Sequence, residues 1–201
     1  TISLWELAMA GGPLMIPLLI CSIIAVYIFV ERLRTINKAN VSSDAFMGKI
    51  KELVVKGDIN GAKILCSQHD TPVARMIEKG VTRIGSPLKN IEASIENVGK
   101  IEVFRLEKNL SVLATIAGAA PMIGFLGTVI GMVGAFIAIA QEEGSVSPKL
   151  LADGIYTAMV TTVAGLVVGI IAYLGYNYLV TRVSKVVHRM EYSSIEFIDL
   201  L

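Results

Sequence analysis

The sequence contains little charge for its length, and that charge is segregated. Of its 201 residues only 17% are Asp, Glu, Lys or Arg, whereas 54% are hydrophobic, and the mean hydropathy is +0.66. An ordinary soluble domain is less apolar and carries more charge. The net charge of +1 provides no basic surface for nucleic acid. The composition therefore predicts a membrane protein that does not bind nucleic acid.

The residues of common active sites and metal sites are also scarce. The two cysteines are far apart, Cys21 in an apolar run and Cys66 in a charged segment. The two histidines, His69 and His188, lie in separate charged segments. The sequence contains no P-loop, no H-E-x-x-H motif and no paired carboxylates. These absences predict no disulfide framework, no metal or cofactor, and no enzymatic activity.

Three charge-free runs are each long enough to span a bilayer as a helix, which takes about 20 apolar residues. Basic residues follow the first and third runs, and a short acidic loop joins the second to the third. The positive-inside rule then places the N-terminus outside the cell membrane, a side called periplasmic below, and the C-terminus in the cytoplasm. The predicted order is an interfacial helix over 1–11, transmembrane helices over 12–31, 109–140 and 150–181, a cytoplasmic helical domain over 32–108, a periplasmic loop over 141–149, and a cytoplasmic C-terminal helix over 182–201.

The polar segment between the first two runs has the pattern of helices. Gly57 is predicted to end an amphipathic helix as its C′ residue. A later helix opens at Pro87 and is expected to continue into the second span, with Gly99 as its one breaker. Most of the charges of that helix are interpreted as a solvated face. We expect an all-α membrane protein with three transmembrane helices, two of them extended into a cytoplasmic helical domain, in which Cys66 reacts with thiol reagents from the cytoplasm.

Small residues mark one face of the second and third runs. At about 100° per residue, the glycines at 124, 127, 131 and 134 form a narrow stripe, and two of them make a G-x-x-x-G pair. Such pairs allow close approach of another helix in lipid. The third run repeats small residues at four-residue spacing. The predicted helix-packing residues are Gly124, Gly127, Gly131, Gly165 and Gly169.

Hydroxyl groups accompany these glycines. Thr157, Thr161 and Thr162 lie within six residues of the third run, and Thr128 lies at the edge of the stripe in the second. A single membrane threonine usually bonds to the carbonyl one turn earlier in its own helix. Several together on a small-residue face favour an ion pathway, since intramembrane polar groups that face a bundle interior tend to mark such pathways. We predict that all four line an ion pathway.

The segments around these residues resemble the MotA/TolQ/ExbB family of ion-driven motor subunits. The motif A-P-M-I-G-F-L-G-T-V-I-G-M over 120–132 is similar to the second span of that family, and G-I-Y-T-A-M-V-T-T-V-A-G-L over 154–166 to the third. The N-terminal W-E-L-A-M-A-G-G-P-L-M, the three-span order and the large cytoplasmic segment resemble the ExbB branch. The resemblance covers essentially the whole chain.

The resemblance implies an architecture and a partner set. It implies a homopentameric ring around a central pore that holds a dimer of an ExbD-like single-span protein with a membrane Asp. It also implies a TonB-like protein that passes the work to outer-membrane receptors. Thr128 and Thr162 match the family's pore-lining threonines. The function implied is that of an inner-membrane motor subunit, driven by proton or sodium flow, that energises TonB-dependent transport.

One position departs from the family pattern. Many relatives carry Glu in a G-I-x-E-A motif of the third span, where this chain has Thr157. The only titratable site expected in mid-membrane is then the partner's Asp. Protons are the first expectation for the transported ion. Sodium is the second, because threonine hydroxyls are hard oxygen ligands.

Other functions remain open at this point. A TolQ-type or gliding-type motor subunit of the same family is compatible with the motifs. A non-conducting membrane scaffold that clusters partners would account for the glycines but not for the hydroxyls. A transporter permease would normally need broken-helix repeats or a loop that contacts an ATPase, and the sequence shows neither.

Overall fold

A computed structural model describes residues 11–40, 44–141 and 148–201, and every regular element within these ranges is an α-helix. Nearly all of the predicted interfacial helix over 1–11 and most of the predicted periplasmic loop over 141–149 lie outside the described residues. The helices are α1 Met15–Ala39, α2 Asp44–Val55, α3 Ile59–Gln68, α4 Pro72–Thr82, α5 Leu88–Glu107, α6 Leu110–Gln141 and α7 Pro148–Ile198.

Three helical stretches are long and apolar enough to cross a membrane: Met15–Ala39, Leu88–Gln141 and Leu151–Ile198. Their apolar windows are mostly exposed in the isolated chain, as expected of helices that face lipid or other subunits. The chain is therefore an all-helical, multi-pass membrane protein. The helix of the first span continues to Ala39 and that of the third to Ile198, beyond the predicted ends of the spans at 31 and 181.

The chain forms two compact units. The apolar unit comprises Asn109–Asn177 and the described part of Thr1–Phe29. The polar unit comprises Val30–Lys108 and Tyr178–Leu201. Each contains its own buried residues, so each is described separately.

The helix expected to run without a break into the second span is interrupted. It passes through Gly99, which packs against Met76, and ends at Glu107. Asn109 then has φ 64°, a left-handed conformation that Asn tolerates better than most residues, and α6 starts at Leu110. The prediction that Gly99 was the one breaker is therefore wrong, because the break depends on a single Asn at the boundary of the two units.

Short helices of the polar unit begin and end at recognisable caps. The Asp58 carboxylate accepts from the Gly61 N–H at the start of α3, and the Thr71 hydroxyl accepts from the Ala74 N–H at the start of α4. After α2, Gly57 has φ 76° and donates its N–H to the Val54 carbonyl. This left-handed residue confirms the predicted C′ position.

The core of the polar unit combines the short helices with the last part of α7. Gly80 of α4 lies against both Ile95 of α5 and Phe197 of α7, so closely that any side chain there would displace them. The most completely buried side chains of this unit include Ile36, Ile50, Cys66, Ile77, Val81, Ile95, Leu179, Val186 and Phe197. Burial of this apolar surface is the main force holding the unit together.

Candidate functional site

The backbones of α6 and α7 are in close contact within the apolar unit. A methyl carbon at Gly124 would lie 2.9 Å from the Thr161 carbonyl oxygen and 3.1 Å from the Gly165 Cα atom. A methyl carbon at Gly165 would in turn lie 2.6 Å from the Ala120 carbonyl oxygen. The two helices approach this closely only because both positions lack a side chain.

The other predicted packing glycines lie along the same contact. A Cβ at Gly127 would lie 2.7 Å from Thr161 Cβ, and one at Gly131 would lie 2.9 Å from Ala158 Cβ. All five predicted positions therefore face α6 or α7 of the same chain. Gly134 does not, because a Cβ there would meet nothing within 4 Å. Its place on the predicted stripe is taken by Ala135, which is buried beside Gly154.

A proline in α6 lies at the end of this contact. Pro121 has no N–H to donate, so the carbonyl of Ala117 loses its usual intrahelical partner. Gly169 of α7 packs on the proline ring, and a Cβ there would lie 3.1 Å from the Ala117 oxygen. The neighbouring helix covers the freed carbonyl, as the sequence requires of a proline within a span.

Two of the four predicted pathway threonines lie at this helix contact. Thr162 donates its hydroxyl to the Gly124 carbonyl of α6 at 2.9 Å. Thr161 is almost fully buried, with 1% exposed, and donates to the Ala158 carbonyl of its own helix at 2.8 Å. Each hydroxyl oxygen keeps lone pairs that can accept a hydrogen bond or bind a cation.

The other two threonines are less enclosed. Thr128 donates to the Phe125 carbonyl one turn earlier in α6 at 2.6 Å and is half-buried. Thr157 is half-buried one turn before Thr161 in α7. The structure thus places Thr161 and Thr162 between the two helices and leaves Thr128 and Thr157 partly open to whatever surrounds the chain.

Within the described ranges the three charge-free runs contain no carboxylate. Glu31 directly follows the first run and pairs with Arg32, and Asp153 directly precedes the third run and is exposed. No group of three His, Cys, Asp or Glu side chains that could hold a metal ion occurs among the residues that the structure describes. The polar chemistry of the middle of the apolar unit is that of hydroxyls and carbonyls.

Sequence reasoning missed a buried carboxylate in the polar unit. Glu102 is only 3% exposed and is an exception to the solvated face predicted for most of the α5 charges. Arg75 of α4 and Arg105 of α5 each donate to a different Glu102 oxygen at 2.7 Å. A signal was present, because Glu102 shares the stripe of buried α5 positions that includes Ile91, Ile95, Gly99 and Leu106.

The ion pairs continue outward from Glu102. Arg75 also donates to Asp70, and Lys38 of α1 donates to the other Asp70 oxygen at 2.6 Å. The hydrogen bond from Lys38, with its positive charge and that of Arg75, lowers the pKa of the Asp70 carboxyl. The hydrogen bond to Glu102 raises the pKa of the Arg75 guanidinium. We call Lys38, Asp70, Arg75, Glu102 and Arg105 the ion-pair cluster.

Comparison with known sequences decides the family. Residues 68–192, more than half of the chain, match the model of the MotA/TolQ/ExbB proton channel family. The chain belongs to the MotA/TolQ/ExbB family. The matched region includes the α6–α7 contact and the four threonines, and it confirms the resemblance found in the sequence.

Curated relatives of this MotA/TolQ/ExbB chain include archaeal and bacterial proteins. A biopolymer transport protein ExbB homologue from Methanothermobacter thermautotrophicus is 31% identical to this chain. The match covers 92% of this chain and 66% of the homologue. The biopolymer transport protein exbB1 of Vibrio cholerae is 26% identical over 98% of this chain and 88% of its own. The Tol-Pal system protein TolQ of Haemophilus influenzae is 36% identical over 42% of this chain and 37% of its own. The chain is thus a MotA/TolQ/ExbB membrane channel subunit.

Proposed function

We propose that this chain is the ring-forming subunit of an ExbB–ExbD-type motor in the bacterial inner membrane, which uses ion flow to energise TonB-dependent outer-membrane transport. Similarity to ExbB-named relatives over nearly the full chain supports this assignment. The basic residues after the first and third spans favour a periplasmic N-terminus and a cytoplasmic C-terminus. The subunit contributes the wall of the ion pathway rather than a catalytic centre.

One observation carries the proposal: hydroxyls lie between the charge-free parts of α6 and α7, where neither helix offers a carboxylate. Thr161 and Thr162 lie at the α6–α7 contact, and each presents lone pairs to its surroundings. In our proposal the half-buried Thr128, Thr157 and Thr162 solvate a charge carried by another chain, and the buried Thr161 forms the wall of the pathway behind them.

The proposed partner supplies that charge. A homopentamer of this chain surrounds two ExbD-like single-span helices, each with a membrane Asp. An unpaired carboxylate is costly in hydrocarbon, so hydroxyls that solvate it determine where the partner helix rests. Neutralisation by an incoming ion releases it, and one charge crossing the potential yields about 2.3 kcal/mol per 100 mV. A TonB-like protein passes the resulting movement to the receptor.

The test measures uptake of a substrate of a TonB-dependent receptor. The cells lack the chromosomal gene for this chain and carry a copy of it on a plasmid. With the membrane potential held fixed, external sodium and external pH are varied separately. A proton-driven complex responds to the pH gradient and ignores sodium. Loss of uptake in sodium-free buffer, with the pH gradient intact, would replace protons by sodium as the driving ion. Normal uptake in the deletion strain would overturn the proposed role.

A TolQ-type role is the second candidate, because the Haemophilus TolQ is 36% identical over the part that it shares with this chain. The two roles differ in the partner rather than in the wall of the pathway. Co-purification of the tagged chain from its own membranes, followed by identification of the bound single-span and TonB-like proteins, distinguishes them. Recovery of the chain with no single-span partner would favour a scaffold over either motor.

A further inference from the structure

The ion-pair cluster borders a cavity of about 290 Å³ in the polar unit. This volume is at the lower end of the range of ligand pockets, which runs from about 300 to 1,000 Å³. Helices α1, α4 and α5 and the turn before α4 form its walls. The lining residues are Thr35, Lys38, Ala39, Asp70, Pro72, Arg75, Glu102, Arg105 and Leu106.

The α1 wall of the cavity begins close to the end of an apolar span. Val30 is the last residue of the charge-free run of α1, and the same unbroken helix continues to Ala39. At 1.5 Å per residue, Thr35 and Lys38 lie about 8 Å and 12 Å beyond Val30 along the helix axis. The headgroup layer is roughly 5–8 Å deep on each face of a bilayer. The cavity therefore borders the headgroup layer on the side of α1 that carries the basic residues.

The charges of the cavity wall do not cancel. Lys38, Arg75 and Arg105 contribute three positive charges, against two negative charges from Asp70 and Glu102. Between them a lysine and two arginines offer far more N–H donors than the four that the two carboxylates receive in the cluster. The wall retains one unit of excess positive charge and several donors suited to an anion.

The side chains of this wall differ in exposure: some are buried and held by ion pairs, and others are exposed and can contact a ligand. Glu102 is 3% exposed and holds Arg75 from one side and Arg105 from the other. The side chains of Lys38 and Arg105, by contrast, are 69% and 63% exposed. An exposed pair such as Lys38–Asp70 contributes little to folding, so stability does not account for Lys38 at the mouth of the cavity. Arg105 uses one nitrogen for the buried Glu102, which leaves its other N–H groups for a ligand. Ala39, Pro72 and Leu106 add an apolar wall beside them.

We propose that this cavity binds the phosphate of an anionic lipid headgroup at the membrane surface. Lys38 and Arg105 contact the phosphate oxygens, and Arg75, fixed by Asp70 and Glu102, sets the potential of the site. Arginine and lysine are the side chains that recognise phosphate, through charge-assisted hydrogen bonds. Basic pockets beside membrane helices bind anionic headgroups in this way. A soluble phosphate ester shares this chemistry but lacks an acyl chain to bring it to the surface.

Native mass spectrometry of the full chain in detergent tests the site, with phosphatidylglycerol and phosphatidylcholine of the same acyl chains as probes. We expect retained phosphatidylglycerol at least tenfold more abundant than phosphatidylcholine. The double variant Lys38→Gln/Arg105→Gln should lose at least tenfold of that binding. The matched control Lys56→Gln/Lys100→Gln removes the same charge from exposed helical pairs outside the cavity and should retain it. Circular dichroism should show both variants folded.

Three results would overturn the proposal. Equal retention of the two lipids would show that charge does not select the ligand. Equal loss in the cavity variant and in the control would assign binding to net charge rather than to the cavity. A third arm adds glycerol 3-phosphate, and displacement of the lipid at equal concentration would assign the site to a soluble phosphate. If the double variant unfolds, the single variant Lys38→Gln replaces it, with the same comparison against Lys100→Gln.

Discussion

The hydroxyl of Thr162 donates to the carbonyl oxygen of Gly124, 38 residues away on the facing helix, at 2.9 Å. A carbonyl oxygen has two lone pairs, so it can accept this bond in addition to one from its own helix. The bond is possible because Gly124 has no side chain to hold the helices apart. It is one polar link across a contact otherwise made by small residues.

Replacing Thr162 with Val removes this link while keeping a side chain of similar size. We expect the chain to lose about 0.6 kcal/mol and at most about 2 kcal/mol of stability, as is typical of hydrogen bonds between membrane helices. Energised uptake should fall strongly, because the variant removes a proposed pathway oxygen. Thr115→Val is the matched control, since Thr115 donates only to Ser111 of its own helix α6. Normal uptake in Thr162→Val, or equal losses in both, would reduce Thr162 to a packing residue.

Replacing Gly127 with Leu should disrupt the subunit itself. A Cβ there would lie 2.7 Å from Thr161 Cβ within the same chain, so the two helices must separate. We expect a loss of about 1–3 kcal/mol, measured as a lower melting temperature in detergent, together with loss of any oligomer. Gly134→Leu is the control, because no atom of another helix lies within 4 Å of a Cβ built at Gly134 in the part of the chain that the structure describes. A normal melting temperature for Gly127→Leu would show that Gly127 does not lie at the α6–α7 contact.

The thiol of Cys66 should resist labelling in the native protein. Cys66 is 1% exposed, and burial, with the nearby charge of Glu78, raises its thiol pKa to about 12. The sequence-based expectation that Cys66 reports topology is therefore wrong. Ala93→Cys on the exposed face of α5 should react with a membrane-impermeant maleimide at pH 8, whereas Cys66 should react only after denaturation. Rapid native labelling of Cys66 would show that the polar unit opens readily.

The raised pKa of Cys66 also predicts how the stability of the protein changes with pH. The unfolded thiol ionises near its ordinary value of 9.0, whereas the folded thiol stays neutral up to about 12. The unfolded state therefore binds fewer protons between these values, so the stability contributed by Cys66 is complete below pH 9 and is lost as the pH rises towards 12. Cys66→Ala should weaken the alkaline decline in melting temperature. An unchanged alkaline decline would assign it to other groups.

Replacing Glu102 with Gln should be costly. It removes a charge that holds two arginines and leaves Arg75 without its most buried partner. Breaking a fully buried pair costs about 3–5 kcal/mol, and a third of the Arg75 side chain is exposed, so we expect about 2 kcal/mol. Glu96→Gln breaks the exposed pair with Lys100 and should cost less than about 1 kcal/mol. Equal melting temperatures for the two variants would show that burial of Glu102 has no energetic weight.

Structural features that follow from regular residue spacing along a helix were predictable from the sequence. The three- and four-residue spacing of small residues identified Gly124 and Gly165, because a regular helix places such residues on one face. It failed at Gly134, where Ala135 takes the contact instead, because two packed helices diverge from an ideal wheel. The spacing predicted a close helix contact, but whether the partner helix belongs to the same chain was visible only in the structure.

Features that depend on a single residue were not predictable in this way. Asn109 ends α5 with one left-handed residue, and nothing in the surrounding charge pattern marks that choice. Glu102 looked like one more charge on a polar helix until Arg75, 27 residues earlier, was placed beside it. Long-range pairing of charges is decided by the packing of helices, which no local pattern contains.

The α6–α7 contact joins helices that are consecutive in the chain, separated by only a few residues. A contact between sequence neighbours has a small loop-closure cost and needs no other chain to nucleate it. This seam can therefore form as soon as both spans are in the bilayer, from residues of this chain alone. A variant that damages it, such as Gly127→Leu, is expected to be defective as an isolated chain, whatever other proteins are present.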